Sequence, residues 1–290
     1  MPSAMPSAMP SARARPSILY VSNLAYPAKG RRYCDEDIYL TSHLRHHFDL
    51  AICHPEDATA LMAAHDTVVI RNSGPVIDYA PAYHRFREQA KATNQRVYNP
   101  LTGKGDMAGK QYLIDLTEAG FPVIPTIGTA DHLDRLPQAP EYVVKPKAGA
   151  DSHGLEFVSE KDLQSNLENK ARDEADVLVQ PRIDFRYEVS FYFVDHDFQY
   201  ALNAPDPAKR WELRSYLPSR EDLEFAQRFV DWNDLDHGIQ RVDACRTRQG
   251  DLLLVELEDL NPYLSLDRTP DDTRTRFVGA MAASVRRSLA

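Results

Sequence analysis

Hydrophobic and polar positions alternate in short blocks along the first hundred residues. Short runs of β-branched and aliphatic residues, which are typical of buried strands, precede segments whose apolar residues recur every three or four positions, as in helices. Helices are predicted over 37–48, 58–65 and 83–92, and the predicted strands are ILYVSNL, LAICH, TVVIRNS and RVYNP. Strands and helices that alternate through short links favour a parallel sheet covered on both faces. The pattern therefore predicts a Rossmann-like α/β domain over residues 18–100.

The pattern changes after residue 100. Helices are predicted over 108–120, 160–173 and 220–232, with a last helix from about residue 271. The intervening runs have the residue types of strands: YVVKPK, LEFVS, VLVQPRI, YEVSFYFV, FQYALNA, RWELRSY, QRVDACRT and DLLLVELE. From residue 177 these runs follow each other through turns, which predicts a mostly antiparallel sheet. The fold class is thus α/β followed by α+β, with two lobes over 101–178 and 179–290.

Composition narrows the class of protein. The chain has 290 residues and a formal charge of −9, so it offers no basic surface for nucleic acid. It contains no apolar run of roughly 18–20 residues, the length that a membrane span needs. The three cysteines, Cys34, Cys53 and Cys245, lie far apart without CxxC spacing, which favours a reducing, cytoplasmic setting. Residues 1–17 form a Pro-Ser-Ala repeat that we expect to be disordered.

One loop suggests phosphate binding. In YVVKPKAGADSHGL, a predicted strand ends at Lys145, and the loop 148–154 follows. A lysine at the end of a buried strand needs a partner, and the N–H groups of a loop can cover an anion. Gly149 and Gly154 would allow the backbone dihedrals that such a loop requires. The segment indicates a polyanion such as a nucleotide triphosphate.

A predicted hairpin carries a group of acids. Asp243 lies on one strand, and Glu256 and Glu258 lie on the other. Residues two positions apart on a strand share a face, so the two glutamates point the same way. Three convergent carboxylates are costly without a cation, and hard oxygen ligands suit Mg²⁺. The hairpin therefore predicts a magnesium site.

These motifs, in this order, resemble the ATP-grasp superfamily, and specifically the carboxylate–amine ligases near prokaryotic glutathione synthetase and the peptide-tail glutamate ligases. The resemblance covers residues 99–267 by motif and residues 18–98 by architecture alone. It implies an ATP-grasp fold in which two lobes clamp ATP and two Mg²⁺ ions, with Mn²⁺ able to take their place. It also implies ADP-forming ligation through an acyl phosphate.

The resemblance also implies roles for individual residues. The implied nucleotide contacts are Lys110, Lys145, Gly149, Ser152, His153, Gly154, Gln180 and Glu188. Gln180 would lie at the hinge strand and Glu188 would bind the ribose, whereas His153 either contacts a phosphate or is exposed. The implied catalytic cations are Arg214, Lys145 and Arg241. The implied metal ligands are Asp243, Glu256 and Glu258, with Asn261 as an alternative.

Residues of the first domain suggest a substrate site. Arg71, Asn72 and Asp37 end or follow predicted elements at the expected cleft, where they would suit a small zwitterion. Ion pairing of Arg71 within the fold stays open. We expect a small amino acid or dipeptide-like substrate that is joined to an amine. A ring-closing ligase, a non-catalytic ATP-binding module and homodimer formation also stay open.

Overall fold

The computed structural model describes residues 15–26, 32–147 and 154–290. Its first part is a four-stranded parallel sheet in the order β2-β1-β3-β4, with strands β1 (Ser17–Val21), β2 (Asp49–Cys53), β3 (Thr67–Ile70) and β4 (Val97–Tyr98). The connecting helices are α1 (Tyr33–Leu44), α2 (Ala58–Leu61) and α3 (Ala80–Ala92). The predicted order of strands and helices is confirmed. Helix α1 lies about one turn earlier than predicted, and Ile38 is exposed because Leu40 and Leu44 face the core.

The next sheet has three antiparallel strands in the order β6-β5-β7. These are β5 (Glu141–Pro146), β6 (Glu156–Ser159) and β7 (Val177–Pro181). Helix α5 (Glu160–Arg172) packs on this sheet, whereas helix α4 (Tyr112–Glu118) precedes it in the chain. The predicted end of this lobe, residue 178, lies inside β7. Because β7 pairs with β5 along its whole length, the sheet of the first lobe extends to Pro181.

The third sheet has five antiparallel strands in the order β10-β9-β8-β11-β12. They are β8 (Phe185–Val194), β9 (Asp197–Ala204), β10 (Arg214–Tyr216), β11 (Ile239–Thr247) and β12 (Leu252–Glu258). Helix α6 (Arg220–Asn233) begins with a Ser219 capping box, and helix α7 (Asp271–Ser288) follows the last strand. Among the described residues, no helix combines the length and hydrophobicity that crossing a bilayer requires.

The two faces of the five-stranded sheet have different partners. One face packs Phe191, Val242 and Leu257 against helix α6 at Phe229 and helix α4 at Leu113. The side chains of this face form the core of the second lobe.

The opposite face continues the core into the first domain. Tyr192 and Tyr200 pack with Ile18, Tyr20 and, from α7, Phe277. The first domain and the second lobe therefore share one hydrophobic core. The polar side chains described next lie on this opposite face.

Candidate active site

A β-bulge between β11 and β12 decides which side chains face the site. Ala244 pairs with Leu254 and Asp243 pairs with Glu256, so Val255 is an extra residue on β12. Leu254 lies in the core of the second lobe. The extra residue shifts the alternation of side chains, so that Glu256 turns away from the core and shares a face with Asp243. The bulge thus converts a core strand into a strand that carries acids into the site.

Two cations neutralise the predicted acid group. Arg241 lies opposite Glu258 and donates from Nη2 to Asp243 Oδ2 at 2.8 Å and to a carboxylate oxygen of Glu258. Lys110 Nζ lies 2.7 Å from Glu256 Oε1. Because the carboxylates turn towards these cations, no group of three or more His, Cys, Asp or Glu side chains within the described ranges is arranged to hold a metal ion. The acids share a face as predicted, but in this arrangement they form ion pairs.

The electrostatics of the cluster leave one cation unsatisfied. Burial lowers the pKa of Lys145 to about 8, with Lys110 adding to the effect and Glu256 opposing it. Burial alone would raise the pKa of Glu256, but Lys110 and Lys145 bring it below its usual value. Burial raises the pKa of Glu258 despite Arg241 beside it. An additional anion near Lys145 would favour its charged form.

Glu188 lies on the same side of the sheet. It pairs across the strands with Cys245, and its Oε2 accepts a hydrogen bond from Arg210 Nε at 2.5 Å. Burial raises its pKa, which the Arg210 guanidinium counteracts. The structure therefore brings Glu188 towards the acids of the site, with Arg210 as its partner.

Gln180 is held by the segment before β5. Its buried amide donates from Nε2 to Thr126 Oγ1 at 2.8 Å, and this hydroxyl donates in turn to the Ile124 carbonyl at 2.7 Å. The side chain of Gln180 thus attaches the segment around Thr126 to strand β7.

The predicted role of Arg214 does not agree with the strand register. Cross-strand pairing carries the face of Asp243 through β8 and β9 to Ser215 on β10. Arg214 and Tyr216 therefore lie on the opposite face of the sheet. The Arg214 side chain is exposed and has no hydrogen bond or ion pair to the residues that the structure describes. Arg241 is the guanidinium that lies among the acids.

Other predicted ligands have different surroundings. Asn261 donates from Nδ2 to Ser73 Oγ at 2.7 Å and to the Gly74 carbonyl at 3.1 Å, so it joins the segment after β12 to the first domain. Gly154 has a φ of +72°, in the left-handed region that favours glycine. Three other predicted contacts lie outside the described residues: Gly149, Ser152 and His153.

The three predicted substrate residues are buried. Asp37 accepts hydrogen bonds from Tyr20 at 2.6 Å and Ser22 at 2.5 Å, and Asn72 donates to the carbonyl of Tyr33 at 3.2 Å. The structure therefore brings Asp37 and Asn72 next to protein groups and leaves them no open surface.

Arg71 is bound by the second lobe. It is 1% exposed, donates to the Pro262 carbonyl at 2.6 Å and lies 3.5 Å from a Glu36 oxygen. Glu36 in turn accepts from the backbone N–H groups of Leu264 and Leu266 at 3.0 and 3.3 Å. The segment after β12 covers the carboxyl ends of β1 and β3, and the alternative of ion pairing within the fold describes Arg71.

Sequence reasoning missed two acids beside the site. From the sequence, Asp259 is expected to be a solvated turn residue, but its side chain is fully buried. It accepts hydrogen bonds from the N–H groups of Gly105 and Met107. Burial, with the Asp259 carboxylate next to it, raises the pKa of Asp106 well above its usual value. No local pattern reports this contact, since the two acids lie on distant segments of the chain.

Comparisons with known proteins agree with this architecture. No protein-family model matches the chain. Among curated proteins, it is similar to the cycloserine biosynthesis protein DcsG of Streptomyces lavendulae, with 26% identity over 263 residues, or 80% of this chain and 87% of that protein. The crystal structure of D-cycloserine synthetase DcsG has a TM-score of 0.74 and 22% identity, with 92% of this chain and 98% of that chain covered.

Two further solved structures are similar over most of their length. D-alanine–D-alanine ligase from Bacillus anthracis, complexed with ATP, has a TM-score of 0.63 and 12% identity, with 94% of this chain and 98% of that chain covered. The ATP-grasp ligase PsnB, complexed with a minimal precursor, has a TM-score of 0.63 and 17% identity, with 93% and 99% covered. The chain therefore has the ATP-grasp fold, as its motifs predict.

Proposed function

We propose that the protein is an ATP-dependent, ADP-forming carboxylate–amine ligase that acts on a small amino acid or dipeptide-like substrate. The observation that carries the proposal is the clustering of Lys110, Lys145 and Arg241 against the acids of β11 and β12. Such a cluster of cations and carboxylates suits a polyphosphate together with divalent metal ions.

The lysines would hold the phosphates of ATP. Lys145 is largely buried and has a lowered pKa, so a phosphate anion beside it would relieve the cost of its burial. Lys110 is 12% exposed and is already aligned by Glu256. Glu188, whose carboxylate is partly exposed, would accept hydrogen bonds from the two ribose hydroxyls.

The carboxylates fit a magnesium site in their chemistry. Asp243, Glu256 and Glu258 are hard oxygen donors that share one face of two paired strands. When bound there, Mg²⁺ would neutralise phosphate charge, and the carboxylates would exchange their present partners, Lys110 and Arg241, for the ions.

The reaction needs positioning and charge more than a protein nucleophile. The substrate carboxylate would attack the γ-phosphorus of ATP, which forms an acyl phosphate and releases ADP. A nitrogen nucleophile then attacks the acyl carbon, expels inorganic phosphate and loses a proton to give the amide. Arg241, which is buried and held by Asp243 and Glu258, would stabilise the charge on the transferred phosphoryl group.

The relatives support a small substrate and a second candidate reaction. The name of D-alanine–D-alanine ligase describes the joining of two small molecules, and the name of D-cycloserine synthetase describes a small cyclic product. The similarity to DcsG favours ring closure within one amino-acid-like substrate as the second candidate. Both candidates share the acyl phosphate step and differ only in where the nitrogen nucleophile is attached.

The experiment is a screen for ADP release by the full chain with ATP and Mg²⁺. The substrates offered are single amino acids, pairs of amino acids, and amino acids with a second amine in the side chain. We expect ADP release with pairs, or with single diamino substrates if the ring closes, and a strongly reduced rate of release by the Arg241→Gln variant. Nucleotide binding without substrate-dependent ADP release would instead identify a binding module. ADP release with polypeptide acceptors alone would overturn the small-substrate proposal.

A further inference from the structure

Two acids outside the proposed catalytic group each accept hydrogen bonds from the backbone of the segment that carries the other acid. Asp259, the residue after Glu258, accepts from Met107 N–H at Oδ1 (2.8 Å) and from Gly105 N–H at Oδ2 (3.0 Å). Asp106 lies between these two donors, and its Oδ1 accepts from the N–H groups of Asp259 at 2.6 Å and Leu260 at 2.8 Å. We name this reciprocal arrangement of Asp106 and Asp259 the carboxyl clasp.

Neighbouring groups complete the carboxyl clasp. Asn233, at the end of α6, donates from Nδ2 to Asp259 Oδ2 at 2.9 Å, and its Oδ1 accepts from the Lys104 N–H at 2.7 Å. A Cβ at Gly105 would lie 2.7 Å from the Leu257 carbonyl oxygen, so the two segments lie too close together for a side chain at position 105. Side-chain and backbone groups of both segments therefore take part in the contact, and the side chain of Asp259 is fully buried.

The carboxyl clasp lies between the two halves of the proposed phosphate and metal site. On one side, Asp259 directly follows Glu258. On the other side, Asp106 lies four residues before Lys110, whose Nζ is 2.7 Å from Glu256 Oε1. Two buried carboxyl groups in contact are a costly way to join two segments, since apolar side chains would do so without desolvating charge.

We propose that Asp106 and Asp259 are positioning residues, which hold the segment 103–110 against the end of β12 and thereby aim Lys110 at Glu256 and at the nucleotide phosphates. The inference rests on the proposed function for the role of Lys110 with nucleotide. The placement of Lys110 itself can be measured in the free protein.

The test compares substitutions that keep or remove the observed hydrogen bonds. In Asp106→Asn, one carbonyl oxygen can still accept both N–H groups, so this variant should behave as the parent. Asp259→Asn replaces one of the two carboxylate oxygens that accept hydrogen bonds. Asp106→Ala removes the oxygen that accepts from the N–H groups of Asp259 and Leu260. The readouts are the acetylation rate of Lys110 in the free full-length protein, by mass spectrometry, and ADP affinity by calorimetry.

We expect Asp106→Ala and Asp259→Asn to raise the acetylation rate of Lys110 severalfold and to weaken ADP binding about tenfold, as misplacement of a contact group does. In a Lys110→Met background, Asp106→Ala should cause no further loss of ADP affinity. Val285→Ala, in the distant core of α7, is the matched control that lowers stability without changing Lys110. If Asp106→Ala does not fold, Asn233→Ala, which removes one link of the clasp, replaces it with the same expectation.

Unchanged Lys110 acetylation in these variants would overturn the proposal, as would equal losses of ADP affinity with and without Lys110. A parent protein that binds no ADP would contradict the proposed function alone, because the acetylation readout still tests the carboxyl clasp. Equal behaviour of Asp106→Asn and Asp106→Ala would show that the hydrogen bonds of Asp106 do not position Lys110.

Discussion

Lys110 and Glu256 form an ion pair, with Nζ 2.7 Å from Oε1, although one precedes the helix α4 and the other lies on the last strand of the five-stranded sheet. Lys145, from a different sheet, is close enough to the same carboxylate for its charge to be felt. The site is thus assembled from three separate parts of the chain.

Lys145→Ala should weaken ATP binding without unfolding the protein. The lysine is desolvated and has no ion pair among the described residues, so its removal costs the fold little, whereas a bound polyphosphate loses a direct countercharge. Calorimetric titration with ATP and a thermal melt give the two measurements. Lys147→Ala is the matched control, since Lys147 is paired with Asp176 at 2.6 Å. An alanine variant that binds ATP as tightly as the parent would disprove the phosphate role.

The affinity for ADP should fall as the pH rises above about 8. In the free protein the pKa of Lys145 is lowered to about 8, so the cation is lost above this pH, and phosphate binding must restore the proton. The lowered pKa also means that the unfolded chain holds more protons between about pH 8 and the usual lysine range, so stability gains from this group as the pH rises there. Titrations from pH 7 to 9.5 should show the fall in the parent and a flat profile in Lys145→Met.

Arg241→Gln should reduce turnover by about 10²–10³-fold, as expected for a group that stabilises developing charge. Arg214→Gln should have a much smaller effect, because strand register places Arg214 on the other face of the sheet. Steady-state ADP release under saturating ATP compares the two variants directly. A larger loss for Arg214 than for Arg241 would show that the register argument fails.

Asp243→Asn and Glu256→Gln should each raise the Mg²⁺ concentration that ADP release requires, and the double variant should lose less than the sum of the two effects. The reason is that both carboxylates lie on one face of paired strands and would serve the same ions. Asn261→Ala is the control, since its amide binds Ser73 and Gly74. A Mg²⁺ requirement that changes with Asn261 and not with the carboxylates would reverse the assignment.

The sequence predicts local features of this fold better than contacts between distant segments. Strand alternation was sufficient to place Glu256 and Glu258 together, but the bulge at Val255, which turns both towards Asp243, has no local signal. The face of Arg214 depends on which residues of β9 it meets, and a motif does not report register.

Local sequence patterns also do not predict which residues are buried by segments distant in the chain. Arg71 has the sequence of a strand-end substrate ligand, yet its partner Pro262 lies 191 positions later. Asp259 is polar in a segment that otherwise resembles a turn, yet the loop 103–110 covers it completely. In both cases the deciding contact joins residues that no periodicity connects.

At a pH well above 7, where Glu36 is ionised, Arg71→Met should destabilise the fold by about 3–5 kcal/mol, the usual cost of removing one partner of a buried ion pair. Burial raises the pKa of Glu36 to about 7, with Arg71 and the N–H group of Leu264 opposing the rise. Below pH 7, Glu36 is protonated in the folded state with or without the arginine. Above pH 7, the parent ionises Glu36 beside Arg71, but the variant must keep the proton or bury a lone charge.

The stability difference between Arg71→Met and the parent should therefore grow between pH 7 and 8.5. A carboxyl group whose folded pKa is raised contributes stability that is lost as the pH rises towards that pKa, and the variant extends this loss to higher pH. Urea unfolding at several pH values measures it. The double variant Glu36→Gln/Arg71→Met removes the titrating group and should show a constant difference. A constant difference in the single variant would instead mean that Glu36 and Arg71 do not interact in solution.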